Sequence, residues 1–377
     1  MTAPTRYELT GRVAVSATAT VWRARDTGLD RVVAIKALHP EVAALPGQRE
    51  RLREEARVLG GLVHEHIVAV YDFVELPDDV WLVEEWVDGA TLRRVRDQAG
   101  RLTPEQAVGV VRGALQGLAL VHERGLVHGD VAPTNVLVTT AGISKLCDFG
   151  LAAPVGSGGT VAGTPAYMSP EAVRGAALTP ASDVYSAAAV LASLLTGSEV
   201  FAGADVDAVL ARHLDEQRPA LDAVQRSTRE VLQRCLATDP AGRPADAAAL
   251  LPLLEDAAEK DLGAGWLARA GLAGLVTASV GTPGVVAARH LVTGARRSRT
   301  AAHVLTTKPA VAAVAALVVG GTVAGVAVSQ ASGGHHVASP ATTTATRATT
   351  TTTAAPTTTA APTTTPAPVA RRPPMRS

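Results

Sequence analysis

The chain has 377 residues, 47% of them hydrophobic but only 3% aromatic, so Ala, Val and Leu carry most of its apolar content. That length holds one large domain or two smaller ones with extensions. Two cysteines without a CxxC pair, Cys147 and Cys235, argue against a disulfide framework and a zinc site, and fit a reducing cytosol. The formal net charge of zero hides an asymmetry: all 35 acids lie at or before Asp261, where they meet 25 basic residues for a net of −10, and ten Lys/Arg follow. An acidic domain with a basic tail argues against nucleic acid as a partner and for a cytosolic domain joined to a membrane-facing segment.

In chain order, "TATVWRARD" (18–26) alternates and "RVVAIKAL" (31–38) is a β-branched run, so residues 7–40 are expected to form strands. "GQRERLREEARVLGGL" (47–62) places Leu52, Ala56 and Leu59 at helical spacing and ends at glycines, which predicts an amphipathic helix. "VWLVEEWV" (80–87) reads as a further strand. From Thr103 to about Leu254 the pattern is mainly helical, broken by loops at 125–135 and 148–171. A small sheet-rich part followed by a larger helical part predicts one two-lobed α+β domain over 7–256, after a short extension at 1–6.

Residues 257–308 are Ala/Gly-rich and increasingly basic and read as a juxtamembrane linker. From Pro309 to Gly334 no side chain ionises, and "AVAAVAALVVGGTVAGVAV" (310–328) is long enough to cross a hydrocarbon core of roughly 30 Å as one helix. The expectation is a single transmembrane helix at 309–330, the large domain in the cytoplasm and the tail outside. A second span at 270–288 would turn Arg296, Arg297, Arg299 and Lys308 outward, against the positive-inside tendency. The Thr/Ala/Pro-rich stretch 331–377 cannot bury a core and is expected to be disordered.

The chemistry concentrates in an ordered set: "VAIK" (33–36), the acid in "REEA" (53–56), "HGDVAPTN" (128–135), "DFG" (148–150), "GTPAYMSPE" (163–171), "SDVYS" (182–186) and "DPAGRP" (239–244). With this set over 7–256, the chain resembles a bacterial, actinobacterial-type, membrane-anchored serine/threonine protein kinase. The resemblance implies a two-lobed protein-kinase fold that uses ATP and Mg²⁺, in which catalysis is mainly positioning and electrostatics. It implies that Lys36 holds inner phosphates and is oriented by Glu55, and that Val13, Val21, Ala34, Glu85 and Val87 surround the nucleotide base. Asp148 and Asn135 would bind the metal, and Asp130 would orient the incoming hydroxyl within hydrogen-bond reach. Thr160 would be the activation-loop site and Thr164 would meet the catalytic acid. His128, Asp183, Glu171 and Arg243 are implied structural residues, the last two as a buried ion pair. Cys147 reads as a small buried residue beside the metal acid. Expected partners are protein substrates, the chain itself among them, membrane lipid near the basic stretch, and a second copy as a dimer.

The chain also departs from the pattern. Registered back from Val21, the three glycine positions of the phosphate loop are Ala14, Ser16 and Ala19, which lack the positive-φ freedom of glycine. Glu84 stands before the hinge where an apolar residue is usual; buried there, it would have to pair or take up a proton. In the catalytic loop, Gly129 replaces the Arg that clamps a phosphorylated activation loop, and Ala132 replaces the Lys that steadies the moving phosphoryl group. Losing one such contact typically costs about 2.7–4 kcal/mol, roughly 10²–10³ in rate, which predicts a slow enzyme. "HGDxxxxN" also resembles the loop of aminoglycoside and choline phosphotransferases, which work without that Lys but lack "GTPAYMSPE". Two alternatives therefore stand beside the slow kinase: a pseudokinase scaffold and a small-molecule phosphotransferase.

Overall fold

The structure, a computed structural model, describes residues 6–280 except 17, 78, 150, 151, 157–162 and 216–218. Thr160, the expected span at 309–330, the tail and the second half of the expected linker lie outside the described residues. Among the described residues, no helix is long and apolar enough to cross a membrane.

The small lobe is an antiparallel sheet of β1 (Tyr7–Val15), β2 (Ala19–Asp26), β3 (Arg31–Leu38), β4 (Val70–Glu75) and β5 (Val80–Glu85), in the order β1-β2-β3-β5-β4. A short helix α1 (Pro40–Ala43) and the longer α2 (Gln48–Leu59) follow β3. Period-two alternation splits the sheet's side chains between two apolar layers. Tyr7, Ala24, Val33, Ile35, Trp81 and Val83 fill one, and Leu38, Leu52, Val80 and Leu82 fill the other, beneath α2.

After β5 the chain passes through β6 (Gly89–Thr91) and α3 (Leu92–Ala99) into the central helix α4 (Pro104–Glu123). Thr103 starts α4 with a reciprocal cap: its hydroxyl accepts from Gln106 N and the Gln106 side chain accepts from Thr103 N, with Pro104 in the first turn. Gly113 lets α4 lie flush on the catalytic hairpin, because a Cβ there would come within 2.3 Å of Ser144 Oγ. The hairpin follows: β7 (Leu126–Val127), the catalytic loop, β8 (Val136–Thr139) and β9 (Ser144–Leu146), with β10 (Ala153–Pro154) returning to pair with β7. The short α5 (Pro170–Val173) precedes α6 (Pro180–Thr196), whose residues from Ala181 to Leu195 are all buried. Next come α7 (Val206–Leu214), α8 (Arg226–Cys235) and α9 (Ala247–Leu262).

The short strands β6 to β10 have no counterpart in the sequence reading, nor has β4: β8 and β9 fall in the stretch read as helical, β7 and β10 in the expected loops, and β4 and β6 before that stretch. The short strands, of two to four residues, are too brief to show an alternation. The stretch 257–280, expected to begin a linker, is helical: α9 runs to Leu262, and α10 (Trp266–Arg269) and α11 (Leu272–Val280) follow. Trp266, Leu275 and Val276 are buried in the same core as α4 and the catalytic loop. Gly142, at the β8–β9 turn with φ +84°, passes so close to α11 that a Cβ there would lie 2.5 Å from Ala273 N. Apolar burial at this seam outweighs the low-complexity look of the sequence.

Candidate active site

The register of the sheet assembles the upper wall of the cleft. Val21 and Leu82 are the cross-strand partners of Lys36, and Glu84 is the partner of Ala34. Directly paired residues share a face and i, i+2 residues return to it, so Val21, Ala34, Lys36 and Glu84 look into the same cleft. Val13 is buried on β1. Lys36 Nζ lies 2.7 Å from Asp148 Oδ1 and 3.5 Å from Glu55 Oε1. It therefore ties β3 to α2 and to the large lobe at once. Burial alone would lower the Lys36 pKa, but Asp148, Glu55 and Glu84 together raise it above the usual value. The ammonium stays charged.

Glu84 is half-buried, and none of the described residues gives its carboxyl a hydrogen bond or a salt bridge. Burial pushes its carboxyl up to about 8; Lys36 opposes this, and Glu55 and Asp148 add to it. The acid thus carries its proton at neutral pH. The neighbouring Glu85 points elsewhere: its carboxylate accepts from Ala69 N at 3.2 Å and from Lys145 Nζ at 3.0 Å. The Glu85 N–H is also spent, on Ala69 O. At this position the backbone carbonyl is what remains for a base. Val87, half-buried, follows in the hinge.

The lower wall is the catalytic loop. Asp183, on α6, accepts from His128 N (2.8 Å) and Gly129 N (2.9 Å), and His122 Nε2 lies 2.9 Å from it. Buried backbone N–H groups need such partners, and here one carboxylate from a distant helix supplies them. His128 is fully buried: its Nδ1 accepts from Asp130 N, its Nε2 lies 3.3 Å from Cys147 O, and its ring stands 4.4 Å from that of Phe149. It props the loop and does not face the cleft. Cys147 is half-buried, and its thiol is pushed well above its ordinary pKa by burial and the neighbouring acids, so it is not a reactive thiolate.

Asp130 Oδ1 accepts from both the N–H and the hydroxyl of Thr164, each at 2.9 Å. Its Oδ2 accepts from Asn135 Nδ2 at 2.9 Å, and the same amide group also reaches Asp130 O. A carboxylate offers about four lone-pair positions, so three are held and one is left for a substrate hydroxyl. Burial raises the Asp130 pKa, the Thr164 N–H, His128 and the Thr164 hydroxyl lower it, and Asp148 raises it, with a net rise.

Asp148 adopts φ 60°, in the left-handed region, one of two described non-glycine residues to do so. That backbone turns its half-exposed carboxylate into the cleft toward Lys36. Asn135 spends its amide nitrogen on Asp130, which leaves the amide oxygen as a ligand atom. Among the described residues no three His, Cys, Asp or Glu side chains cluster as a metal cage. A carboxylate plus an amide oxygen, completed by phosphate, is the hard-oxygen pattern that suits Mg²⁺.

One sequence departure and one expected ion pair have a visible structural setting. Ala132 is fully buried and brings no charge to the position of the missing Lys. Farther away, Arg243 donates to both oxygens of Glu171 at 2.7 and 2.9 Å, and Ser182 adds a third bond at 2.7 Å. Burial would raise the Glu171 pKa; the Arg243 bonds and charge overrule it and hold it below the ordinary value. Sequence reasoning missed the roles of Lys145 and His122, which act through folds of the chain that bring residues about sixty apart together.

Residues 7–252 match the protein kinase domain family. Among curated relatives, the serine/threonine-protein kinase PknL of Mycobacterium tuberculosis is 39% identical over 264 residues, 68% of this chain and 66% of that one. The serine/threonine-protein kinase drp72 of Corynebacterium efficiens is 38% identical over 251 residues, covering 64% of this chain and 48% of that relative. For PknA of Corynebacterium glutamicum the figures are 35% over 248 residues, 63% and 53%. The match thus spans about half to two thirds of these relatives' lengths. With Lys36, Glu55, Asp130, Asn135 and Asp148 gathered around one cleft, and this match along the whole two-lobed unit, the chain belongs to the protein kinase domain family.

Proposed function

We propose that the protein is a serine/threonine protein kinase that transfers the terminal phosphoryl group of ATP to protein hydroxyls, and does so slowly. The observation that carries this reading is the Lys36 bridge to Glu55 and Asp148, above an Asp130 held in register by Asn135 and Thr164. Lys36 holds phosphate, Asp130 receives the hydroxyl, and Thr164 seats the segment that meets a peptide. Asp148 and the Asn135 amide oxygen would hold Mg²⁺, which supplies neutralising charge for the phosphates. The relatives' names as serine/threonine-protein kinases support the choice of a protein substrate. Slowness follows from Ala132, which leaves the transferring group without its cation.

The test is transfer of radiolabelled phosphate from Mg-ATP by the full chain, to itself and to a generic protein, beside Asp130→Asn and Asp148→Asn. Slow transfer lost in both variants is expected. Equal background in three folded proteins would leave a scaffold. Transfer to an aminoglycoside but not to protein would leave the small-molecule reading.

We further propose a single membrane span at 309–330 with the kinase domain in the cytoplasm. The uncharged run from Pro309 to Gly334 and the basic residues before it support this. Anionic lipid beside that basic stretch, the chain itself as substrate, and a second copy as a dimer partner belong to the same proposal. Protease protection of the tail in sealed vesicles checks the topology.

A further inference from the structure

The loop between β1 and β2 is where a glycine-rich segment would present backbone N–H groups to phosphate. Here Thr18 and Ala19 present theirs to Ser16. Ser16 Oγ accepts from Ala19 N at 2.9 Å and from Thr18 N at 3.2 Å, and it donates to Ala19 O at 2.9 Å. One hydroxyl has one donor and two acceptor positions, so the side chain is saturated. Ser16 N also donates to Ala19 O at 2.8 Å, closing a tight ring around the loop. The far side is pinned as well: His39 N donates to Thr18 O at 2.9 Å, and Thr20 Oγ1 lies 3.0 Å from His39 Nε2.

The other two former glycine positions show why the loop tolerates this. Ala14 and Ala19 are both buried, their methyl groups packed into the lobe, and neither they nor Ser16 takes a positive φ. The two strands pair up to the turn, Val15 with Thr20, past an irregularity between Arg12 and Ala14, and Ser16 alone of the three is half-exposed.

We propose that Ser16 is a positioning residue that competes with nucleotide phosphate for the N–H groups of Thr18 and Ala19 and holds the loop in a closed, phosphate-blind state. This rests on the nucleotide reading above and deepens it. A phosphate reaching the loop must displace the Ser16 hydroxyl from two N–H donors, and so binds more weakly than to an open loop. The adenosine part of the ligand makes no such demand. The device predicts poor discrimination between adenosine and its phosphorylated forms.

The experiment is calorimetric binding of Mg-ADP and of adenosine to the full chain, for the wild type and for Ser16→Ala, Ser16→Gly and Ser16→Thr, with melting temperatures to verify folding. Ser16→Ala removes the competing acceptor and should tighten Mg-ADP by about tenfold, the worth of roughly one hydrogen bond, while adenosine stays within about twofold. Ser16→Gly should do the same, and Ser16→Thr, which keeps the hydroxyl, should match the wild type. If the wild type binds both ligands and Ser16→Ala leaves their affinity ratio unmoved, or shifts both alike, the role given to Ser16 is overturned. If no variant binds either ligand, the nucleotide reading itself falls and takes this role with it.

Discussion

Two loops face each other across the cleft, and their backbone N–H groups are held in opposite ways. Between β1 and β2 those of Thr18 and Ala19 turn onto Ser16, a member of the same loop. Between β7 and β8 they turn onto Asp183, more than fifty residues away on α6. Both loops have lost residues usual in their family: three glycines above, an Arg and a Lys below. The lower loop keeps its shape because its support comes from the buried core and not from the lost residues. The upper loop has replaced an open shape, meant for a ligand, with a self-contained one. Losing a charge from a supported loop slows a reaction; filling the donors of an unsupported one obstructs a ligand.

The sharpest way to break the contrast is Asp183→Ala. It leaves the N–H groups of His128 and Gly129 without acceptors in a buried place and strips His122 of its partner. Each buried unpaired group costs about 1–3 kcal/mol, so the loss is about 2–6 kcal/mol in total, measured by denaturant unfolding. Ser16→Ala, by contrast, should cost less, because Ser16 and Thr18 are half-exposed and water can reach the Thr18 N–H in its place.

How much of this was legible in the sequence follows the same division. The strand-rich and helical parts could be read from periodicity, whereas the roles of Lys36, Glu55, Asp130, Asn135 and Asp148 came from the family resemblance, the last three of them on loops that periodicity does not place. The Glu171–Arg243 bond came from the family resemblance; seventy-two positions apart, it has no local signal. Ser16 was legible only as a lost glycine. That its hydroxyl gathers two N–H groups depends on the turn, which composition does not specify. The helices α10 and α11 were hidden because Leu, Ala, Gly and Val suit a linker near a membrane as well as a seam. Their burial depends on Gly142 and Gly109 leaving room, and Leu272 Cδ1 would sit 3.1 Å from a Cβ at Gly109.

Glu84 sharpens the comparison from the upper wall. A free acid of this kind titrates near 4.5, and in the folded protein it is pushed up to about 8. Between those values the folded protein holds a proton that the unfolded chain has released, so stability falls as pH rises through the window. It levels off below about 4.5 and above about 8. Glu84→Gln removes the titration but keeps the shape. Its melting temperature should exceed that of the wild type at neutral pH, most at pH 8 and above, and the difference should close near pH 4.5. Parallel curves at every pH would mean that the acid is solvated.

The smallest effect concerns Thr164, which tunes the acid beneath it. Its hydroxyl and its N–H both reach Asp130 Oδ1 and both lower the pKa of that acid, against the burial that raises it. Thr164→Val deletes the hydroxyl at constant volume and leaves the N–H bond. Asp130 must be ionised to receive the substrate proton, so its higher pKa in the variant moves the acid limb of the kcat/KM profile to higher pH. One neutral hydrogen bond is worth about 0.5–1.5 kcal/mol, which limits the displacement to about one pH unit. At a pH well above the limb the two rates should converge, because Asp130 is then ionised in both. A loss that persists undiminished on that plateau would mean that the hydroxyl seats the peptide and does not tune the acid.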